Sequence, residues 1–147
     1  MPQGERTKKG ARSQRQKTPI TDKWGSALAA GWQVIPNVLV RAQMQLGLDA
    51  TDVVVLLNLN MHWWRKEDFP FPRPTIIAKR MGISKRTVER RIEKLVKAGL
   101  LERLPLTKER KLRQYKLEGL VKRLQDAAAV GLVQREYYLM VKGDEDT

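Results

Sequence analysis

The stretch that decides the fold runs from Thr75 to Leu101 and reads T-I-I-A-K-R-M-G-I-S-K-R-T-V-E-R-R-I-E-K-L-V-K-A-G-L-L. It predicts two short helices joined by a tight turn. Gly82 provides the left-handed backbone that ends the first helix, and Ser84 provides a side-chain oxygen that caps the second. Apolar residues at i, i+4 and i+7 then give the second helix one stripe that can be buried. The stripe consists of Val88, Ile92 and Leu95.

The other faces of the second helix are charged. They carry Lys85, Arg86, Glu89, Arg90, Arg91, Glu93, Lys94 and Lys97. A small residue at Ala78 lets the second helix cross closely over the first, and a helix held in this way with exposed guanidinium groups suits a DNA major groove. The alternative is an ordinary helical hairpin whose charged face is only solvated.

The run resembles a helix-turn-helix, because Ala78, Gly82 and Val88 stand at the spacing usual in that motif. Two later segments extend the resemblance. A-G-L-L-E-R at 98–103 and R-Q-Y-K-L at 113–117 look like the hairpin of a winged helix-turn-helix. The resemblance implies a mainly α fold with a small β-hairpin and a DNA-binding function.

A larger frame is similar to small helix-turn-helix proteins of bacterial plasmids, phages and other mobile genetic elements. It begins with I-P-N-V-L at 35–39 and ends with Y-K-L-E-G-L at 115–120. The similarity covers about residues 32–121. One departure is Arg91, which stands where a small residue is more usual.

The net charge of +13 is concentrated in two segments. Residues 79–116 contain fourteen basic and four acidic side chains, and residues 1–23 contain seven basic and two acidic ones. Residues 24–78 are neutral, and residues 117–147 are slightly acidic. Positive charge gathered in this way is typical of a protein that binds a polyanion.

Other classes of protein find little support in the sequence. The chain has no cysteine and one histidine, which excludes disulfides and zinc–thiolate sites. It contains no G-x-x-x-x-G-K-[ST] loop and no paired carboxylates in an apolar setting. Its longest apolar run, Val53 to Leu57, is too short to cross a bilayer. We therefore expect a cytoplasmic protein that is not an enzyme. We also expect it to bind no cofactor or metal and not to associate with a membrane.

The sequence predicts three segments. Residues 1–23 are expected to be a disordered basic arm, which either follows DNA or serves only as a solubilising leader. Residues 24–121 are expected to form the winged helix-turn-helix domain. Residues 122–147 are expected to form a helical extension with an acidic tail, and the apolar run at Leu132–Val141 is expected either to fold back on the domain or to pair with another chain as a dimerisation segment.

Within these segments the periodicity predicts further elements. Asp49, with Asp52 three residues later, suits a capping box at the start of a core helix. The predicted helices are Pro36–Leu46, Ala50–Trp64 and Glu118–Ala129, and the predicted strands are Leu100–Pro105 and Lys111–Leu117.

Residues of the motif and the hairpin are assigned to DNA. Side chains predicted to face base edges are Lys85, Arg86, Glu89 and Arg90. Those predicted to hold phosphates are Thr75, as the N-cap of the first helix, together with Thr87 and Lys94. Those predicted to make the hairpin a DNA-contacting wing are Lys108, Arg110, Lys111 and Arg113. The alternative for the wing is that charge on an edge strand only prevents aggregation.

The leading hypothesis is a sequence-specific, double-stranded DNA-binding transcriptional regulator. One recognition helix reads few base pairs, so we expect a homodimer on an inverted repeat. The alternative is a plasmid or phage protein for replication initiation or partition. The group of proteins that this chain resembles also includes proteins with those functions.

Overall fold

The structure is a computed structural model that describes residues 18–109, 111–131 and 139–142, in two units, 1–32 and 33–147. The first unit contains helix α1 (Pro19–Trp24) and a 3-10 helix (Gly25–Ala30). The second contains α2 (Asn37–Arg41), α3 (Ala50–Asn60), α4 (Pro74–Met81), α5 (Lys85–Lys97), β1 (Glu102–Arg103), β2 (Tyr115–Lys116) and α6 (Glu118–Ala129). Among the described residues no helix is long and apolar enough to cross a membrane.

Helix α1 begins inside the segment predicted to be a disordered arm. Thr18 and Thr21 form a reciprocal capping box, in which each side chain accepts from the backbone amide of the other. Pro19 in the first turn favours a helical start. The prediction of disorder is therefore wrong for residues 19–23, and residues 1–17 lie outside the described part of the chain.

Helix α3 is the centre of the second unit. Its predicted capping box is confirmed, because the Asp49 amide donates to Asp52 Oδ2 at 3.0 Å and the Asp52 amide donates to Asp49 Oδ1 at 2.9 Å. Val55, Leu56 and Leu59 are fully buried. The helix ends at Asn60 rather than at Trp64, since the His62 and Trp63 amides bond three residues back and tighten the last turn.

Helix α2 and the hairpin are shorter than predicted. The helical segment ends at Arg41, and residues 42–47 continue as turns up to Gly47. In the hairpin β1 pairs antiparallel with β2, and the Leu104 amide adds one bond to the Gln114 carbonyl. Pro105 then ends the pairing because it has no amide hydrogen to donate.

The prolines before α4 contribute to the sheet edge. The Tyr115 amide donates to the Pro70 carbonyl at 3.0 Å, so the extended connector lies beside β2. Tyr115 and Leu117 are both buried, as the sequence predicts. With α4, α5 and the hairpin in this order, the second unit is a mainly α winged helix-turn-helix.

Helix α6 closes the core with the predicted bounds. Leu120 and Leu124 are buried, so the domain extends beyond residue 121, where the sequence analysis placed its end. The Leu120 amide donates to the Leu100 carbonyl at 2.9 Å. A Cβ on Gly119 would stand 2.0 Å from the Gly99 carbonyl oxygen, which means that α6 packs directly on the backbone after α5. Of the predicted dimerisation run, residues 132–138 lie outside the described chain.

Candidate nucleic-acid interface

The turn between α4 and α5 has the geometry that the sequence predicts. Gly82 adopts the left-handed conformation with φ 66°, and its amide donates to the Ala78 carbonyl. Ser84 Oγ accepts from the Thr87 amide at 3.1 Å and lies 2.8 Å from the Thr87 hydroxyl. Thr87 is half-buried. The start of α5 is therefore held at a defined position beneath α4.

The start of α4 differs from the prediction. The helix begins at Pro74, and Arg73 is the N-cap residue, without a side-chain capping bond. Proline is favoured at the first helical position because its missing amide hydrogen is not needed there. Thr75 is consequently an exposed residue of the first turn and not the cap. Its hydroxyl remains accessible at the amino end of the helix.

Helix α5 buries its apolar stripe against α3 and α4. Side chains at i and i+4 share a helix face because residues are about 100° apart. Arg86 and Arg90 accordingly lie together on the face opposite Val88 and Ile92, and both are exposed. In residues 18–109, 111–131 and 139–142, neither of these two arginines has an ion-pair partner. This outward row is available to a ligand.

Lys85 and Glu89 occupy a neighbouring strip of α5. Their side chains form an i, i+4 ion pair with Lys85 Nζ 3.7 Å from Glu89 Oε1, and both remain more than half exposed. A pair this open to water contributes little to stability. Both groups therefore stay accessible beside the outward row.

The opposite flank of α5 is bound to the start of α3. Lys94 Nζ lies 2.6 Å from Asp52 Oδ2, and Arg91 Nη1 lies 3.4 Å from Asp52 Oδ1. Arg91 also pairs with the Asp49 carboxylate. The backbone amide of Asp52 and then Arg91 hold the pKa of Asp49 below its ordinary value, and Asp49 raises the pKa of Arg91 further. Four charged side chains thus join the two helices.

A second link joins α5 to the hairpin. Glu93 on α5 pairs with Arg103 on β1, and Arg103 stands opposite Tyr115 in the strand register. The side chain of Tyr115, and then Glu93, raises the pKa of Arg103. The base of the hairpin is therefore tied to the middle of α5.

The hairpin basic residues have different surroundings. Lys108 and Lys111 are exposed near the tip. Arg113 Nη1 donates to the Leu104 carbonyl at 3.2 Å, so this arginine also closes the hairpin. Arg110 lies outside the described residues. The structure thus joins α5 to the hairpin base and leaves two lysines accessible at its tip.

The sequence analysis missed the roles of Arg91, Asp49 and Asp52 in the α3–α5 link. The sequence indicates Arg91 only as one of the charged residues of the helix and as a departure from the usual small residue, and the two aspartates only as a capping box. Lys94, assigned to phosphates, is instead seen bonded to Asp52. The sequence contained the signals for this link, which are the unusual arginine on α5 and the two acids at the start of α3. Their pairing could be predicted only with knowledge of how the two helices pack.

Two cavities lie away from α5. A groove of about 720 Å³ lies between the connector 63–69, Lys116 of β2 and the outer side of α6. A smaller pocket of about 250 Å³ lies between α3 and α4, where Arg80 Nη1 donates to Asn58 Oδ1 at 3.0 Å. None of the α5 side chains lines either cavity.

Comparison with known proteins adds a family to this geometry. Residues 35–135 match the model of the DnaD N-terminal domain. The chain is 32% identical over 71 residues to the replicative helicase loading/DNA remodeling protein DnaD of Bacillus subtilis, a match that covers 48% of this chain and 30% of that protein. The chain thus spans less than a third of the length of this relative.

A solved structure of a DnaD N-terminal domain shows the same fold. The N-terminal domain of the DnaD protein from Geobacillus kaustophilus superimposes with a TM-score of 0.55 at 24% identity, covering 82% of this chain and 98% of that one. The multiple antibiotic-resistance repressor MarR from Listeria monocytogenes gives a TM-score of 0.46 at 16% identity, covering 87% and 78%. The family match extends over more than half of the chain, which therefore belongs to the DnaD N-terminal domain family.

Proposed function

We propose that this chain is a double-stranded DNA-binding module that acts in the cytoplasm at the initiation of replication, in the loading of a replicative helicase. The outward row of Arg86 and Arg90 on α5 carries the DNA-binding part of this proposal. The helicase-loading part is supported by membership in the DnaD N-terminal domain family and by the name of the B. subtilis relative.

Recognition would begin with α5 in the major groove. Arg86 and Arg90 would face base edges, since a guanidinium that donates two hydrogen bonds to guanine is the commonest specific contact. Lys85 and Glu89 would complete the reading strip, where the carboxylate accepts from cytosine or orients an arginine. The Ser84 cap and the ion pairs with α3 hold this helix in place before DNA arrives.

Phosphate contacts would flank the reading strip. Thr75 and Thr87 would contact the backbone on the side of α4, and Lys108, Arg110, Lys111 and Arg113 would contact it from the wing. Such contacts set register and affinity without selecting a base. The basic residues before Thr18 would add further contacts of the same kind.

The basic test of DNA binding is a titration of the chain with duplexes at several salt concentrations. We expect the logarithm of the association constant to fall linearly with the logarithm of salt concentration, by about 0.9 for each phosphate contact. Footprinting on the DNA around its own gene and on a replication origin would then locate preferred sites. A chain that shows no salt-dependent affinity for any duplex would contradict the proposal.

A loading assay separates replication from other uses of DNA. We expect the chain, added to a replicative helicase from the same cell and ATP, to increase strand separation on a duplex that carries its site. The matched control is the Arg86→Ala, Arg90→Ala double variant. Stimulation that is equal for this variant would show that loading does not depend on the outward row.

A sequence-specific transcriptional regulator, including one carried on a mobile element, is the second candidate. Glu89 favours it, because an acid on the reading strip adds repulsion from phosphates and is useful mainly where bases are discriminated. A footprint confined to the promoter of its own gene, with changed transcription and no effect on helicase loading, would favour the regulator over the replication protein.

We also propose that the chain binds an inverted repeat as a homodimer. One α5 reads only a few base pairs, and a twofold pair doubles the readout. Half-sites would then lie about 10 base pairs apart, or a multiple of that distance, so that both helices meet one side of the duplex. Light scattering with and without a repeat-bearing duplex measures the mass. A monomer bound to a non-repeated site would contradict this arrangement.

A further inference from the structure

Asp52 is a carboxylate buried away from water in the middle of the helix-turn-helix scaffold. Its side chain has 0% of its surface exposed, although it lies in the first turn of α3. Oδ2 accepts from the Asp49 amide at 3.0 Å and from Lys94 Nζ at 2.6 Å, and Oδ1 accepts from Arg91 Nη1 at 3.4 Å. Among the residues that the structure describes, every partner of this charge except the cap amide therefore comes from α5.

A buried carboxylate is costly unless cations and hydrogen bonds surround it. Lys94 remains 47% exposed and Arg91 30% exposed, so both side chains could turn toward solvent or toward a polyanion. The charge of the fully buried Asp52 carboxylate attracts both side chains and holds them against α3. Asp52 thus competes directly with DNA phosphates for two of the cations on α5.

The same contacts reinforce the rotation of α5 about its axis that its buried apolar stripe sets. Successive helical residues point about 100° apart, so holding Arg91 against α3 determines the direction of its neighbour Arg90. Arg86 shares the face of Arg90. An acid on α3 therefore keeps two cations of α5 turned inward, while Arg86 and Arg90 face outward.

We propose that Asp52 is a positioning residue for DNA recognition, which holds Arg91 and Lys94 against α3 and so withholds them from phosphates, while Arg86 and Arg90 face outward. The inference rests on the proposed DNA-binding function and refines it. Cations that reach phosphates add affinity for every sequence alike. Withholding two of them raises the share of binding energy that depends on base sequence.

The test is Asp52→Asn, which keeps the volume and an acceptor for the Asp49 amide but removes the charge. Asp68→Asn is the matched control, because it changes the net charge equally and its carboxylate accepts only from the connector amide of Arg65 among the described residues. Each protein is titrated with a specific and a scrambled duplex over a range of salt concentrations. Circular dichroism confirms that each variant is folded.

We expect Asp52→Asn to steepen the salt slope on the scrambled duplex by about 0.9 for each released cation that reaches a phosphate. The ratio of specific to scrambled affinity should fall, whereas Asp68→Asn should leave both quantities near the wild-type values. Adding Lys94→Gln to Asp52→Asn should remove part of the steeper slope. A role limited to stabilising the fold would lower affinity without any steepening.

Lys94→Gln alone keeps the inference testable if Asp52→Asn does not fold, because Arg91 still neutralises Asp52. We expect an unchanged slope, whereas a lysine on a phosphate would lower the slope by about 0.9 when removed. A lower slope for Lys94→Gln, or equal slopes for folded Asp52→Asn and Asp68→Asn, would overturn the inference alone. A wild-type chain without salt-dependent duplex affinity would overturn the proposed function together with the inference.

Discussion

Two faces of α5 carry cations, and they differ in what those cations contact. Arg90 lies on the outward face with no ion-pair partner among the residues described, whereas Arg91, the next residue, is bonded to Asp49 and Asp52 on α3. One step of helical rotation separates an arginine available to a ligand from an arginine used by the scaffold. The charge of a helix therefore does not tell how many of its cations are free to bind.

The largest expected effect comes from removing both inward cations. Arg91→Gln combined with Lys94→Gln leaves the Asp52 carboxylate buried without a cation, and breaking a buried ion pair in this way costs about 3–5 kcal/mol. Urea denaturation should show this loss as a lower midpoint with an unchanged slope.

The control is Arg86→Gln combined with Arg90→Gln, which removes the same charge from the outward face. Exposed substitutions of this kind usually change the free energy of unfolding by no more than about 0.5 kcal/mol. Equal destabilisation of the two double variants would contradict the difference between the faces. Restoring stability by adding Asp52→Asn to the inward variant would locate the cost in the buried acid.

A smaller effect is expected in DNA binding by the outward face. Arg86→Ala and Arg90→Ala should each weaken binding to a specific duplex by about 1–3 kcal/mol and relax base preference. Lys108→Ala and Lys111→Ala should weaken binding to specific and scrambled duplexes alike. Parallel titrations on the two duplexes measure the difference. Equal losses on both duplexes for Arg86→Ala would refute its assignment to base edges.

The smallest effect concerns acid stability at Asp49. Its pKa is held below the ordinary value of 3.8, first by the Asp52 amide and then by Arg91, so it stabilises the folded state above that pH and loses this contribution as pH falls through the lowered pKa. The carboxylate is half exposed, which limits the contribution to less than about 1 kcal/mol. Urea midpoints of wild type and Asp49→Asn should differ at pH 7, and the difference should shrink as the pH falls through the lowered pKa; a difference that stays constant throughout an acid titration would contradict this assignment.

Local signals in the sequence predicted the core of the fold well. The Gly82 turn, the Ser84 cap, the Asp49 capping box and the bounds of α6 each depend on residues within a few positions of one another. The winged helix-turn-helix class was implied by a resemblance, which the spacing of Ala78, Gly82 and Val88 carries. The start of α4 was misplaced because Pro74 is favoured at the first helical position and displaces Thr75 from the cap.

Ion pairs between residues that are far apart in the chain could not be predicted from the sequence. Asp52 and Lys94 are 42 residues apart, and their contact depends on how α5 packs on α3. Glu93 and Arg103 likewise meet only after the chain turns from α5 into β1. The identity of the basic face could be predicted from composition and period, but the subset of cations that the scaffold engages required the tertiary structure.

The close contact at Gly119 couples α6 rigidly to the end of α5. A Cβ there would overlap the Gly99 carbonyl oxygen, so no side chain lies between the two backbones to absorb a displacement. The hydrogen bond from the Leu120 amide to the Leu100 carbonyl joins the two backbones at the same place. A force applied along α6, for example by a partner bound to the chain after Ala129, would therefore be transmitted directly to the backbone that follows the end of α5.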